Sequence, residues 1–355
     1  MPSDSEKGFS STRPTINVGG EDKGELAGGL LRLLIIENTN GLYCCEATFG
    51  NLGDKNGGHD FLYFDRQTLD FGKDFKIKLD SDVIFDGKIT ALEASFPEGQ
   101  APEITVLAED RFQDLRMTRR TRSFADVSDS DVMNQVASDH GLSPSVSVTG
   151  PTYKVLAQIN QSDLAFLRER ARSIDAELWM EGSTLNAKPR TNRIGGSIEM
   201  AYGNKLREFS VMADLARQRT SVTVSGWDVH SKSELKHEAE DSVLGGELNG
   251  EASGASILKS AFGSRKEAVA HTVPLTSQET QSEAEALFKM TARKFIVGRG
   301  VAETTSKLRV GAYVDLKEIG PLFSGKYYLS EIKHVFDNTK GLRTEFVGER
   351  PGMGK

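Results

Sequence analysis

Cysteine is scarce in this chain of 355 residues: the only two, Cys44 and Cys45, stand side by side. Neighbouring side chains of a β-strand point to opposite faces, so the two thiols are predicted neither to bridge each other nor to bind one metal ion. The rest of the sequence contains no cysteine. It therefore offers no disulfide framework and no spacing typical of a zinc site.

Long apolar runs are also missing. No stretch approaches 18 apolar residues, so the sequence predicts no membrane insertion by this chain. Residues 1–7 read Met-Pro-Ser-Asp-Ser-Glu-Lys, and they are not followed by the apolar segment of a signal peptide. We therefore expect the protein to be synthesised in the cytoplasm.

A surplus of basic residues is absent as well. The chain has 44 lysines and arginines against 51 aspartates and glutamates, which gives a formal net charge of −7. Proteins that bind nucleic acids contact phosphates with clustered lysines and arginines. The balance of charge therefore argues against a specific nucleic-acid partner.

One basic cluster is nevertheless present, and it consists of Arg111, Arg116, Arg119, Arg120 and Arg122. One interpretation is a charged contact patch, for an acidic partner or for DNA that passes nearby, formed by Arg116, Arg119, Arg120 and Arg122. The other is a solvated face between two domains, because aspartates at positions 110, 114 and 126 offset the charge. The offsetting aspartates favour the second interpretation.

Catalytic and cofactor motifs are not found. There is no glycine-rich loop that ends in Gly-Lys-Ser/Thr and no Gly-x-Ser-x-Gly elbow. His237-Glu238 has no histidine at the spacing of the metalloprotease motif, and the six histidines are scattered. We therefore predict no enzyme activity, no catalytic residues, no cofactor and no metal site. His334 alternates within a strand pattern and is predicted to be a hydrogen-bonded barrel residue.

A β pattern that occurs twice is the most informative feature present. Residues 72–78, 85–96 and 104–111 read like residues 311–317, 323–336 and 343–350. The spacing between equivalent positions, such as Gly72 and Gly311 or Phe96 and Phe336, is nearly constant. So long a period is not that of a solenoid repeat and indicates two copies of one β domain. The alternative is a chance likeness of two ordinary β-hairpins.

Periodicity and turn residues divide the rest of the chain. Ser162 is a good N-cap for a helix over residues 163–175, and residues 277–295 form the strongest helical pattern. We expect a mainly β fold with α+β insertions: two similar antiparallel β-barrels, a small α/β module and a helical insertion. The expected divisions are a flexible N-terminal arm (1–29), a first barrel (30–117), the α/β module (118–200), a second, split barrel (201–228 and 297–350), a loop and helix insertion (229–296) and a C-terminal tail (351–355).

Three segments resemble a known family in their order and spacing. Residues 161–171 with 176–185 resemble the helix and hairpin signature of phage late control protein D and of the VgrG proteins of type VI secretion. Residues 110–124 are similar to the domain junction of that family, and residues 325–336 to its closing hairpin. The resemblance covers about residues 30 to 350.

The resemblance implies a structural role. Such proteins are baseplate hubs: homotrimers with two barrels per chain, so that a three-fold ring matches a hexameric inner tube on one side and carries a trimeric spike on the other. Other baseplate subunits are further implied partners. VgrG proteins continue where this sequence reaches Lys355, so we expect the spike to be a separate polypeptide. The candidate spike-side interface is accordingly Arg350, Pro351, Gly352 and Met353.

The hub hypothesis leaves the type of particle open between a phage tail, a tailocin and an extracellular or intracellular injection system. A second hypothesis is a carbohydrate- or receptor-binding tail protein. In that case stacking surfaces would be supplied by Tyr43, Trp179, Trp227, Tyr327 and Tyr328. A hydrolase of the cell wall is the third hypothesis.

Overall fold

The computed structural model describes residues 13–55, 57–193, 195–269 and 274–354. The strands of the first half of the chain are β1 (Thr15–Val18), β2 (Glu21–Asp22), β3 (Leu30–Asn38), β4 (Cys44–Gly50), β5 (Leu52–Lys55), β6 (Gly58–Phe61), β7 (Asp74–Leu79), β8 (Asp82–Ser95), β9 (Glu103–Glu109), β10 (Arg119–Ser128), β11 (Ser143–Val146), β12 (Thr152–Ser162), β13 (Ala176–Glu181) and β14 (Thr184–Pro189).

The remaining strands are β15 (Ser197–Ala201), β16 (Leu206–Ala213), β17 (Ser221–Asp228), β18 (Ser233–Ala239), β19 (Ala252–Ser253), β20 (Lys266–Val269), β21 (Ile296–Glu303), β22 (Tyr313–Lys317), β23 (Gly325–Asp337), β24 (Gly341–Arg350) and β25 (Gly352–Met353). The α-helices are α1 (Gly24–Gly29), α2 (Gln113–Arg116), α3 (Asp129–Asp139), α4 (Asp163–Ser173), α5 (Gly254–Phe262) and α6 (Ser277–Ala292). Short 3-10 helices span Arg190–Asn192 and Asp241–Leu248.

A single large sheet organises the fold. Its strands follow the order β16-β21-β24-β23-β3-β4-β9-β8-β7-β1-β2, and β22 joins through β23 and carries β15. All pairs in this sheet are antiparallel except the parallel pair of β15 and β22. The prediction of a mainly β fold with α+β insertions is confirmed.

The two copies of the β pattern have the same strand order and share a bulge at an equivalent position. A β-bulge at Thr90 shifts the register between β8 and β9. A β-bulge at the equivalent position, Ser330, shifts the register between β23 and β24. At both bulges the hydroxyl donates to a carbonyl of the partner strand, Leu107 O at 3.3 Å and Val347 O at 3.4 Å. β-Bulges of this kind are specific structural features, so the shared register confirms the predicted repeat.

Each copy also has a glycine turn, which precedes β7 in the first copy and β22 in the second. Gly72 and Gly311 have φ angles of +77° and +95°, which side chains rarely adopt. Their N–H groups donate to the equivalent carbonyls of Ile89 and Leu329, at 2.8 and 3.0 Å. The turns differ in their surroundings, because a Cβ at Gly311 would overlap the Arg193 side chain whereas a Cβ at Gly72 would meet open space.

Each copy of the sheet packs on its own hydrophobic core. The first core includes Ile35, Phe49 and Ile77, and the second includes Ile296, Val314 and Ile332. Their side chains alternate along the strands with exposed or half-buried ones, as a half-buried sheet requires. Within β4, Cys45 is buried and Cys44 is half-buried, which confirms the predicted alternation.

His334 lies in the interior of β23. It is fully buried, and its Nδ1 is 2.9 Å from the Thr344 hydroxyl on β24. The expected hydrogen-bonded position within a strand is thus confirmed, whereas its place in a barrel stays a prediction. Burial, followed by the positive charge of Arg309, lowers the pKa of His334 from 6.5 to about 3.

The α/β module contains a two-stranded sheet (β10 and β12), a three-stranded sheet (β11, β14 and β13) and the helices α3 and α4. The predicted N-cap at Ser162 is confirmed, because its hydroxyl accepts from Ala165 N–H at 3.2 Å. Ser128 and Asp131 form a capping box at the start of α3.

The expected flexible arm over residues 1–29 is wrong for residues 13–29, and the first twelve residues lie outside the described part. β1 pairs with β7, and Ile16 and Leu26 are fully buried in the first core. The four residues of β1 are too few to display a period in the sequence. Their order depends on the open edge of β7, which only the tertiary structure provides.

Residues 221–228, expected in the second barrel, belong elsewhere. They form β17, which pairs with β18 and β20 in a separate three-stranded sheet covered by α6. Conversely β15, expected in the α/β module, joins β22 of the second copy. Alternation predicts a strand but does not identify its neighbours, because pairing is decided by contacts distant in sequence.

We predict that Gly311→Ala lowers the free energy of unfolding by about 2–4 kcal/mol, because it adds both a strained positive φ and an overlap with Arg193. Gly72→Ala is the matched control and should cost about 1–2 kcal/mol, since only the backbone strain applies. Urea denaturation measures both. Equal losses in the two variants would contradict the proposed role of the Arg193 contact.

A pH effect is predicted for His334. Its pKa is lowered in the folded state, so the unfolded state binds more protons below about pH 6.5 and stability falls as the pH falls. From pH 7 to pH 5 this residue should remove about 2 kcal/mol. His334→Gln should therefore gain about that amount relative to the unsubstituted protein over this range.

Unfolding experiments at both pH values check the effect, with His59→Gln, an exposed histidine, as the control. A pH dependence that is identical in the His334→Gln variant and the unsubstituted protein would refute the assignment.

Candidate assembly surfaces

The predicted charged contact patch is paired within the chain. Arg116 pairs with Glu109, and Arg119 donates to the Asn160 carbonyl at 2.8 Å. Arg120 and Arg122 both pair with Asp163, at 3.0 and 2.9 Å. The structure therefore brings only Arg120 and Arg122 together, on one buried carboxylate. This arrangement fits a face between elements of the α/β module better than a free contact patch.

Asp163 is the centre of that arrangement. Its side chain is buried, and it accepts hydrogen bonds from Gln158 and Arg122, with His140 Nε2 at 2.8 Å. Burial by itself would raise its pKa, but the His140 and Gln158 hydrogen bonds and the two arginine charges outweigh burial and lower the pKa of Asp163. Asp163 is therefore a charged N-terminal residue of α4 that fixes Arg120 and Arg122 in place.

The predicted spike-side segment is anchored to the insertion. Arg350, Pro351 and Gly352 are buried, and Met353 is half-buried against the second core. β25 pairs with β19, and the Arg350 guanidinium donates to Glu251 at 2.8 Å through Nε and to the Ser324 carbonyl at 2.9 Å. These residues define where the chain leaves the sheet. Their contact with a spike remains a prediction.

The aromatic residues that would supply stacking surfaces are mostly inaccessible. Tyr43, Trp179, Tyr327 and Tyr328 are buried, and only Trp227 is exposed, by 51%. The prediction that these residues supply stacking surfaces is therefore wrong for four of the five. Their rings fill the core or stack under arginines, which the residue type alone does not reveal.

The structure contains a buried charge cluster that the sequence did not predict. It consists of Glu177, Arg190, Arg193 and Glu349. Arg190 donates to Glu177 at 3.0 Å and to Glu349 at 2.7 Å, and Arg193 donates to Glu177 at 3.0 Å. The four residues are all at least nine-tenths buried. Glu177 lies on β13 of the α/β module, and the two arginines follow β14, the last strand of its three-stranded sheet. Glu349 belongs to β24 of the second copy.

Two tyrosines extend the buried charge cluster into both copies. The Tyr43 hydroxyl, beside β4, accepts from Arg193 at 2.6 Å, and the Tyr328 hydroxyl on β23 donates to Glu177. Burial, then the charge of Glu177, raises the pKa of Tyr328 well above its usual value, so its proton is retained for this bond. The Arg190 and Arg193 guanidinium groups also stack on the Tyr328 and Trp179 rings, at 4.2 and 4.4 Å.

The face of the large sheet opposite the two cores is named here the open face. One row of it crosses eight strands, each residue lying directly opposite the next: Glu208, Val301, Glu345, Lys333, Ile36, Cys44, Glu109 and Lys88. The row mixes aliphatic side chains with charges of both signs. It passes from the second copy to the first without a break.

A groove of about 420 Å³ lies at the second-copy end of the open face. Arg299, Glu331, Lys333 and Glu345 line it, and Lys333 pairs with Glu331 at 3.0 Å. Among the described residues, no group of three or more histidine, cysteine, aspartate or glutamate side chains is placed to hold a metal ion. Nor does any described helix have the length and apolar character needed to cross a membrane.

The buried charge cluster gives a stability prediction. Glu177→Gln should lower the free energy of unfolding by about 3–5 kcal/mol, because it leaves two buried guanidinium groups with one carboxylate. Glu331→Gln is the control, since it breaks a half-exposed pair and should cost less than about 1 kcal/mol. Chemical denaturation distinguishes the two. A loss at Glu177 as small as that at Glu331 would show that the cluster does not contribute to folding.

Three solved structures with the same fold are described as tail or secretion-system proteins. The prophage MuSo2 43 kDa tail protein from Shewanella oneidensis is 11% identical, with a TM-score of 0.70 over 96% of this chain and 98% of that one. A tail protein from Neisseria meningitidis is 13% identical, with a TM-score of 0.67 over 96% and 97%. The E. coli c3393 protein, a component of the type VI secretion system, is 10% identical, with a TM-score of 0.55 over 91% and 73%.

At these identities the likeness establishes a common fold. The tail-protein fold implied by the resemblance to late control protein D and VgrG is thus confirmed, and membership of that particular family stays a prediction. No curated protein matches the sequence. The model of one family, described as the Alg8 N-terminal domain, matches residues 52–338. Because this match spans more than half of the chain, the protein belongs to the Alg8 N-terminal domain family.

Proposed function

We propose that this protein is the structural baseplate hub of a contractile tail or injection system. It forms a homotrimer with pseudo-six-fold symmetry, which joins a hexameric inner tube to a separate trimeric spike. Its work is the matching of two symmetries, and it has no catalytic step. The particle is a phage tail, a tailocin or an injection system.

The observation that carries this proposal is the close repetition of the sheet. The bulges at Thr90 and Ser330, with their equivalent hydroxyl bonds, give the two copies the same register. One chain therefore offers two equivalent four-stranded surfaces, β3-β4-β9-β8 and β16-β21-β24-β23, on one open face. Closed rings are the usual form of soluble homo-oligomers, and three such chains present six equivalent units.

The composition of the open face suits a wall exposed to water. Its row from Glu208 to Lys88 contains charges of both signs between Val301 and the pair Ile36 and Cys44, and it does not form one broad apolar patch. Large apolar patches mark obligate docking sites, whereas mixed surfaces remain hydrated. The fold shared with three proteins described as tail or secretion components supports the same assignment.

The second hypothesis is a carbohydrate- or receptor-binding tail protein. Most of the aromatic residues that it requires at the surface are buried in the core. Trp227 on β17 is the one exposed member of the proposed set. A hydrolase of the cell wall, the third hypothesis, draws no support from the described residues. We therefore retain the hub as the proposed function.

Native mass spectrometry tests the proposal. Each chain has a mass of 38.8 kDa, and we expect a species of three times that mass, alone or after addition of the tube and spike proteins of the same particle. The trimer should bind the tube as one hub per hexameric ring. A protein that stays strictly monomeric with and without these partners would refute the proposed function.

A further inference from the structure

Two strands, one in each copy, are long enough to be shared between two neighbours. β23 pairs with β22 through residues 325–328 and with β3 through residues 331–337, on either side of its bulge. β8 pairs with β7 through residues 82–88. Beyond its own bulge, residues 91–95 have only β9 as a neighbour within the described chain. The edge that β3 occupies in the second copy is therefore open in the first.

β16 is the second-copy strand that corresponds to β3. The pair β3–β4 has a bulge at Leu31, and the pair β16–β21 has the matching bulge at Arg207. With the bulges aligned, Ile35 of β3 is equivalent to Val211 of β16. Ile35 lies opposite Cys45, and Val211 lies opposite Gly298. β3 has a second neighbour in β23, whereas β16 ends the sheet in the described structure. The chain thus has two open edges that correspond to the two edges it already joins internally.

Residues at the two open edges are more exposed than the equivalent residues at the internal junction of β3 and β23. Phe336, near the end of β23, is only 3% exposed and belongs to the first core. Its equivalent in the first copy, Phe96, is 65% exposed. On β16, Met212 is 60% exposed, whereas its equivalent Ile36 on β3 is half-buried. Within the described chain, Phe96 makes ring contacts only with Phe61 and Phe64, at 6.2 and 5.7 Å between ring centroids, and no neighbouring strand covers it. Phe96 and Met212 therefore stay largely exposed where their equivalents are covered by a neighbouring strand.

Each edge segment lies beyond the bulge of its strand and has little of the protection that edge strands usually carry. Residues 91–95 read Ala-Leu-Glu-Ala-Ser and residues 209–213 read Phe-Ser-Val-Met-Ala. These two segments include no proline and no lysine, and Glu93 is their only charged residue. Natural edges are blocked by prolines, lysines or bulges, because unblocked backbone groups pair with another strand.

We infer that residues 91–95 of β8 in one protomer pair antiparallel with β16 of a second copy of this chain. The register follows from the internal pair, in which Lys333 lies opposite Ile36 and His334 opposite Ile35. It sets Glu93 opposite Met212, Ala94 opposite Val211, and Phe96 opposite Phe209. The contact is head-to-tail, which gives a ring when the rotation between protomers closes, and it continues the open face from protomer to protomer. That the ring contains three copies rests on the proposed function.

Cysteine cross-linking tests this register. Glu93 and Met212 are exposed or half-buried, so Glu93→Cys with Met212→Cys leaves the core intact, and Cys44→Ser removes the half-buried native thiol. Directly opposite residues have Cβ atoms about 5 Å apart, close to disulfide geometry. Under mild oxidation we expect a covalent trimer on non-reducing gels. The control pair, Glu93→Cys with Glu208→Cys, lies about 13 Å out of register.

The in-register pair should give about tenfold more covalent product than the control pair, since disulfides form only at short separation. A native trimer without that excess would overturn the inferred pairing and leave the hub proposal intact. Cross-links to an added tube protein in place of a second copy would overturn it too. A monomer without cross-links would refute the pairing and the trimer together.

A second pair of variants tests the same edge without cross-links. Phe96→Asp should raise the dissociation constant of self-association about tenfold or more, because it charges a side chain that the pairing would bury. Phe71→Asp is the matched control, since Phe71 is 55% exposed and lies outside both edge segments. Equal dissociation constants for the two variants, measured by analytical ultracentrifugation, would contradict the pairing.

Discussion

The antiparallel pairing of β3 with β23 joins two copies of one β pattern into a single sheet. Residues 32–38 lie opposite residues 331–337, so the first strand of one copy completes the long strand of the other. The bulge at Ser330 makes this possible, because it ends the pairing with β22 and turns the strand toward β3. The open face and both cores depend on that junction.

The buried charge cluster holds the α/β module against the same junction. Glu177 receives bonds from the two arginines and from Tyr328, and Tyr43 connects Arg193 to the first copy. Buried ions carry a large desolvation cost, and their mutual attraction offsets it only when every partner is in place. The cluster therefore specifies one arrangement of three parts of the chain more than it adds to their stability.

Much of the β pattern could be predicted from the sequence, because alternation and turn glycines recur at nearly constant spacing. Gly72 and Gly311 mark the same turn in both copies. Helix α4 was predictable from Ser162 for a local reason, since an N-cap acts within one turn. These features depend on residues close together in the chain.

The remaining features depend on distant contacts. β1 becomes ordered because β7 offers an edge, and β17 has a strand pattern that does not specify its sheet. Arg190 and Arg193 follow a strand in a polar stretch, and no local signal separates them from solvated arginines. Their burial depends on Glu349, which belongs to β24 near the other end of the sequence.

The internal seam between β3 and β23 has a mechanical consequence. In a ring of such chains, seams inside a protomer would alternate with seams between protomers. The first kind is reinforced by the covalent chain and by the second core, whereas the second kind has only strand pairing and side-chain contact. A load that pulls the ring open would therefore act on every other seam. A duplicated chain has half as many places to break as a ring of single copies.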